Sequence, residues 1–123
     1  MDIAIVGATG NVGRKTLEVL EKKDLSIGNV YLLASSKSVG KKINFKGVDH
    51  DIDDLESFDF SKVKICFFAA GRKISEKFAE KAAKNCLVID NSSHFRMEPQ
   101  IPLIVPQVNS EHIKNIKKNI IAN

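Results

Sequence analysis

Short apolar runs alternate with helical patterns along the whole chain. Ile3–Val6 is an unbroken apolar run and predicts a strand. The run from Arg14 to Lys23 is amphipathic, and Val12, Thr16, Leu17 and Leu20 are expected on one helical face. Val30–Ala34 predicts a second strand, followed by the polar stretch Ser35–Lys42. Short strands are expected over Ile43–Phe45 and Val48–Ile52, and a strong buried strand over Ile65–Ala70. A helix is expected over Ser75–Lys84, where Ala79, Ala82 and Ala83 suit close packing, and then a strand over Leu87–Asp90. Pro99, Pro102 and Pro106 mark a loop, and another helix is expected near Glu111–Lys117. Ile120-Ile121-Ala122 reads as the start of a further buried strand.

Alternation of this kind implies an α/β fold: a doubly wound, mostly parallel sheet with helices on both faces. In such sheets ligands bind beyond the carboxyl ends of the strands. The polar residues expected there are Gly7–Gly13, Ser35–Ser38, Ala70–Ser75 and Asn91–Arg96. The first of these segments, Gly7-Ala8-Thr9-Gly10-Asn11-Val12-Gly13, joins a strand directly to a helix. That order sets free N–H groups and the positive end of a helix dipole where a pyrophosphate can sit. Gly7 would make the tight turn, Gly10 would admit the phosphates, and Gly13 would let helix and strand pack closely. The spacing is a G-x-x-G-x-x-G variant of the Rossmann-type dinucleotide fingerprint, with a plain strand-to-helix turn as the alternative.

The length of 123 residues suits one domain, 1–123, with a real core. No apolar stretch reaches the length of a membrane span, and Met1 leads straight into the first strand, so a cytoplasmic setting is expected. The formal charge of +4 is scattered. Its one late cluster, Lys114–Lys118, is read as the solvated last turn of a helix, so no nucleic-acid partner is expected. Cys66 and Cys86 lie in or beside apolar runs and are read as structural thiols.

Dinucleotide folds that select NAD place Asp or Glu after the second strand, to take the ribose 2′-OH. Here that position reads Ala34-Ser35-Ser36-Lys37-Ser38, with no carboxylate. A cation flanked by hydroxyls suits a 2′-phosphate, hence NADP; an ordinary polar turn is the other reading. Asp90–Met97 follows a strand and carries Arg96, which can make a bidentate contact to phosphate or carboxylate. Asp49, Asp51 and Asp53 begin like a calcium loop, but Asp54 stands where Gly is required and Phe60 where the bidentate Glu belongs. A solvated acidic turn is expected there, and no metal. His50, His94 and His112 carry no catalytic signal; His112 is expected on a helix surface.

Four segments in series resemble aspartate-semialdehyde dehydrogenase. That family carries G-A-T-G-x-V-G, a Ser/Arg-Ser-x-G-K segment, D-N-S-S-x-F-R-M and V-P-E-V-N. Here they read Gly7–Gly13, Ser35–Lys41, Asp90–Met97 and Val105–Asn109. The resemblance implies NADP-dependent reductive dephosphorylation of L-aspartyl 4-phosphate to L-aspartate 4-semialdehyde. That step feeds lysine, diaminopimelate, methionine and threonine synthesis. It also implies a cysteine thiolate forming a thioacyl enzyme, a histidine acid/base, and hydride from NADPH. Arg96 would bind the substrate phosphate, with Asn91 and Ser92 shaping that pocket. Gly7, Thr9, Gly10, Asn11, Val12, Gly13, Ser35, Ser36, Lys37, Ser38, Ala70, Gly71 and Ser75 would serve the cofactor. The full enzyme would be a homo-oligomer.

Three positions depart from the family pattern. Lys37 replaces Arg, keeping the charge but losing the planar fork. Phe68–Ser75 replaces F-S-A-G-G-S-x-S, so Arg72 and Lys73 stand where small residues are usual. Gln107 replaces Glu. In the family the nucleophilic cysteine follows Ile-Ile-Ala-Asn, the residues on which this sequence ends. The chain is therefore expected to be an N-terminal portion that binds cofactor without turnover. N-acetyl-gamma-glutamyl-phosphate reductase has a similar fold and cofactor, but its motif resembles D-L-S-A-D-F-R, which fits Asn91–His94 less well. A stand-alone NADP-binding module is the remaining alternative.

Overall fold

The computed structural model describes residues 1–109, 111, 116 and 118–123. Its elements are β1 (Ile3–Val6), α1 (Asn11–Lys22), β2 (Val30–Ala34), β3 (Lys42–Phe45), β4 (Val48–Asp54), β5 (Ile65–Phe68), α2 (Arg72–Ala83), β6 (Leu87–Asp90), the four-residue helix α3 (Pro106–Asn109) and β7 (Ile120–Ala122). The strands form one sheet in the order β3-β4-β2-β1-β5-β6-β7. All pairings are parallel except β3 with β4, an edge hairpin. Lys46 and Gly47 both take positive φ in its two-residue turn, which matches the twist of the paired strands.

Alternation along β1 sends side chains to two separate cores. Ile3 and Ile5 pack with Leu17 and Leu20 of α1 and with Leu32 and Ile52. Ala4 and Val6 pack with Cys66, Phe68 and Val88, and with Phe78, Ala79 and Ala82 of α2. The two helices therefore lie on opposite faces, the doubly wound arrangement. Burying Leu17 and Leu20 stabilises α1 on the sheet by about 1.5–3 kcal/mol each.

Several boundaries and faces differ from expectation. The buried stripe of α1 is Gly13, Leu17 and Leu20, whereas Val12 is 46% exposed. Val12 lies beside that stripe, on the open groove it shares with Phe67 and Ile89, so the buried face is narrower than expected. α2 starts at Arg72, three positions before the expected Ser75, because Gly71 at φ 90° makes the turn into it. The acidic run at Asp49–Asp54 is part of strand β4, not a turn: Asp51 pairs with Lys42 at 2.8 Å, and Asp49 accepts from Asn44 at 3.0 Å. Cross-strand partners take up those charges. β5 alternates between buried and half-buried positions. On the α1 side Ile65, Phe67, Leu87 and Ile89 are half-buried, and no helix covers them among the described residues. The expected helix near Glu111–Lys117 and the position of His112 lie largely outside the described residues.

β7 completes the sheet beside β6, and Ile120, Ile121 and Ala122 are all buried. Its free edge is occupied by the preceding loop: Ala122 N–H donates to Pro102 O at 2.9 Å, and Ile104 N–H donates to Ala122 O at 2.8 Å. No helix among the described residues is long and apolar enough to cross a membrane.

Candidate dinucleotide cleft and anion loop

β1, β2, β5 and β6 all run the same way, so their carboxyl ends share one edge of the sheet. A cleft of about 360 Å³ opens there, lined by Val6, Gly7, Thr9, Gly10, Ser35, Ser38, Ala70 and Ile74 among others. Gly7 has φ 86°, and its amide donates to Leu33 O at 2.9 Å. A Cβ on Gly7 would lie 2.7 Å from Ala69 O, and one on Gly13 would lie 2.1 Å from Gly7 O. Both positions therefore require glycine. At Gly10 a Cβ would meet only Gly7 O, at 3.5 Å, so that side of the turn is open.

α1 and α2 both begin at this edge, and neither is capped by a side chain. The first N–H groups of each helix have no intrahelical acceptor. Together with the aligned peptide dipoles they make the edge attractive to anions. Arg72 and Lys73, both exposed, add cations to the first turn of α2. Cations at a helix N-terminus are unfavourable on their own, and neither residue has an ion-pair partner among the described residues.

The second constellation begins at Asp90, the fully buried last residue of β6. Asp90 Oδ1 accepts from Ser75 Oγ and from the Ser92 amide, both at 2.8 Å, and Oδ2 accepts from Ser92 Oγ at 2.9 Å. The His94 amide donates to Ser92 Oγ at 3.2 Å. These bonds fold Asn91–Arg96 into a tight loop, with Phe95 buried beneath it. Arg96 is exposed, and its Nη2 donates to Asn91 O at 3.2 Å. The guanidinium makes no ion pair among the described residues. Asn91 Nδ2 donates to Asn123 Oδ1 at 3.2 Å, and the Asn123 amide donates to Asp90 O at 2.9 Å, which ties the loop to the end of β7.

The cleft brings together Gly7, Thr9, Gly10, Ser35, Ser38 and Ala70 of the residues expected around a cofactor. The others take different positions. Gly13 is buried against Gly7, a packing role. Asn11 and Val12 line a separate groove of about 690 Å³ on the flank of α1, with Val19, Phe67 and Ile89. Their backbone amides lie in the first turn of α1. Ser36 and Lys37 are exposed on a short 3-10 turn, Ser36–Ser38, at the rim beyond β2. Gly71 is the turn residue before α2.

One expectation is corrected. Ser75 is fully buried with its hydroxyl committed to Asp90, so it ties two elements together rather than meeting a cofactor. Both donors of Ser92 are likewise spent on Asp90, so Ser92 shapes the loop and does not itself present a group to a phosphate. Sequence reading passed over Asp90 itself. The available signal was an acidic residue ending an otherwise apolar strand, which must be hydrogen-bonded if buried.

Residues 2–116 match the family described as semialdehyde dehydrogenase, NAD binding domain. The chain is 47% identical over 124 residues to aspartate-semialdehyde dehydrogenase of Rickettsia bellii, covering 99% of this chain and 37% of that protein. The chain thus spans little more than a third of the length of such relatives. Among solved structures it is similar to aspartate semialdehyde dehydrogenase II from Vibrio cholerae complexed with ASA. That likeness has a TM-score of 0.96 at 46% identity, over 99% of this chain and 40% of the other. It is also similar to the aspartate semialdehyde dehydrogenase with NADP from Candida albicans, with a TM-score of 0.78 at 26% identity, over 98% of this chain and 41% of the other. The glycine turn, the sheet order and these likenesses agree: the chain belongs to the NAD-binding domain family of the semialdehyde dehydrogenases.

Proposed function

We propose that this chain is the NADP-binding portion of an aspartate-semialdehyde dehydrogenase, which reductively dephosphorylates L-aspartyl 4-phosphate to L-aspartate 4-semialdehyde. The observation that carries this reading is the turn at Gly7–Gly13. At two of its glycines, Gly7 and Gly13, an added Cβ would lie 2.7 and 2.1 Å from backbone oxygens, and the third leaves the uncapped start of α1 open. A pyrophosphate fits such a cradle because it needs close backbone approach and N–H donors. Gly7, Thr9 and Gly10 would hold it, with Ser35 and Ser38 beside the adenosine ribose. Lys37 at the rim would meet a 2′-phosphate, and no carboxylate stands at the end of β2 to favour a free 2′-OH. When bound, the dinucleotide supplies a hydride.

The anion loop supports the second half of the reading. Arg96 is exposed and free of carboxylates, at the same edge of the sheet as the cleft. Its fork would take the substrate phosphate through charge-assisted bonds, with Asn91 beside it. Cys66 and Cys86 are both buried, so the chain presents no thiol at that edge to attack the acyl phosphate. The chain by itself is expected to bind cofactor without turning over. The same reading makes the whole enzyme a cytoplasmic homo-oligomer acting on small molecules.

Calorimetric titration of the purified chain with NADPH and NADH tests the reading. Tighter binding of NADPH is expected. Equal or reversed affinities would overturn the NADP assignment, and dehydrogenase activity from this chain alone would overturn the division of labour.

A further inference from the structure

α2 buries Phe78, Ala79 and Ala82 against the sheet, and Ser75 lies one turn earlier on the same helix, fully buried. A serine in that setting is anomalous unless its hydroxyl is used. It is used on Asp90 Oδ1, the oxygen that also accepts the Ser92 amide. One carboxylate oxygen thus joins two elements with different tasks. α2 starts at the cofactor cleft, where Ala70 and Ile74 form part of the lining. Ser92 belongs to the loop that carries Arg96. The connection runs Ile74–Ser75, then Asp90, then Ser92 and, through Ser92 Oγ, the His94 amide two residues before Arg96.

We propose that Ser75, acting through Asp90, is a positioning residue: it holds the Arg96 loop in register with the cofactor cleft, so that an anion on Arg96 sits at a fixed distance from the bound dinucleotide. This rests on the reading of the cleft and loop given above. Removing the Ser75 hydroxyl leaves both Ser92–Asp90 bonds intact, so the loop keeps its internal fold but loses its tie to α2. The predicted consequence falls on anion binding at the loop and not on the cofactor cradle, because Ser75 is not among the residues lining the cleft.

The test uses the NADPH-saturated chain, in which the cradle is filled, and inorganic phosphate as the probe, followed through the Arg96 Nε–H resonance in nitrogen-15 spectra. Ser75→Ala is expected to weaken phosphate binding about fivefold or more, a shift in the ordinary range of coupling between sites. The NADPH affinity should stay within about twofold of the wild type on that same scale. Ser75→Thr, which keeps a hydroxyl, should restore phosphate binding. If Ser75→Ala does not fold, Ser75→Cys takes its place; its thiol is close in size but a weak donor, so it leaves the Ser92–Asp90 bonds intact and should also weaken phosphate binding. Unchanged phosphate affinity in Ser75→Ala would reduce the Ser75–Asp90 bond to a core hydrogen bond and overturn the proposal. So would equal losses for phosphate and NADPH. If NADPH binds but phosphate never moves the Arg96 resonance in the wild type, the proposal and the phosphate half of the functional reading fail, while the cofactor half stands. If NADPH does not bind, all of them fail.

Discussion

The α-carbon of Gly13 faces the carbonyl oxygen of Gly7 so closely that a Cβ on Gly13 would lie 2.1 Å from that oxygen and 2.9 Å from the α-carbon of Ala8. The start of α1 is therefore pressed directly onto the end of β1, with only hydrogen between them. Gly13→Ala must push the helix away from the strand, because the obstructing atoms are backbone. Overpacking of this kind costs about 1–3 kcal/mol. The variant is expected to lose that much in urea unfolding and to lose NADPH binding as the cradle opens. Gly10→Ala, where the nearest atom is 3.5 Å away, should keep its stability and lose only affinity. Equal stability losses in the two variants would contradict this account of the turn.

Lys37 gives a prediction about selectivity. It is exposed on the Ser36–Ser38 turn and has no ion-pair partner among the described residues. Lys37→Ala should hardly alter stability, since exposed substitutions of this kind usually stay within about 0.5 kcal/mol. Its effect on NADPH should be larger, because a hydrogen bond to a charged group contributes about 1.5–3 kcal/mol. NADH, which lacks the 2′-phosphate, should be indifferent. The check is the ratio of the two dissociation constants, and the wild-type preference should also shrink with added salt. A ratio unmoved by the substitution would remove Lys37 from the cofactor site.

The fold was legible because its strands are short apolar runs broken by glycine, and its two long helices show plain periodicity. β1, β2 and β6 fall where the apolar runs fall. The start of α2 was not legible, because it depends on Gly71 taking φ 90°, and Arg72 and Lys73 carry no apolar signal. Strand β4 was expected over Val48–Ile52, but its acidic residues also read as a solvated turn, because the partners that hold them, Lys42 and Asn44, lie across the hairpin where a local reading does not see them. At the site, motif spacing located the turn and the Arg96 loop. It could not separate side chains that face the cleft from side chains that support it. Ser75 and Ser92 are polar residues in binding motifs, yet both spend their hydroxyls on Asp90. That distinction depends on which way a side chain points, and only the three-dimensional arrangement supplies it.

Asp2 leads to a prediction about pH. Its carboxylate accepts from the Asn29 amide at 2.8 Å and from Asn29 Nδ2 at 3.3 Å, pinning the start of β1 to the start of β2. Those two hydrogen bonds favour the ionised form and hold the Asp2 carboxyl below its ordinary value of 3.8. A folded-state value below the unfolded one means that the contribution to stability is present above the unfolded value. It is lost as pH falls through the folded value. Asp2→Asn should therefore be less stable than wild type at neutral pH, and the two unfolding midpoints should converge as the pH is lowered below about 4. A constant gap down to the acid limit would show that the anchor does not depend on the charge of Asp2.

The two cysteines bear on what the chain can do chemically. Cys66 is fully buried and Cys86 nearly so, and the Cys86 thiol donates to Ala82 O at 3.3 Å. Burial pushes the Cys66 thiol well above its ordinary range, and the neighbouring Cys86 adds to that. The hydrogen bond from Cys66 holds the Cys86 thiol below its ordinary range. Thiolate is the reactive form, so Cys66 is disfavoured as a nucleophile by its raised thiol, and Cys86 by its burial. The folded protein at pH 8 should react with a disulfide reagent only as fast as it opens, and NADPH should slow the reaction further by stabilising the folded state. Unfolding in guanidinium should release both thiols at once. Cys66→Ala together with Cys86→Ala should leave NADPH affinity unchanged, because neither side chain lines the cleft. Rapid labelling of the native chain, or loss of NADPH binding in the double variant, would show that one of these thiols reaches the dinucleotide edge after all.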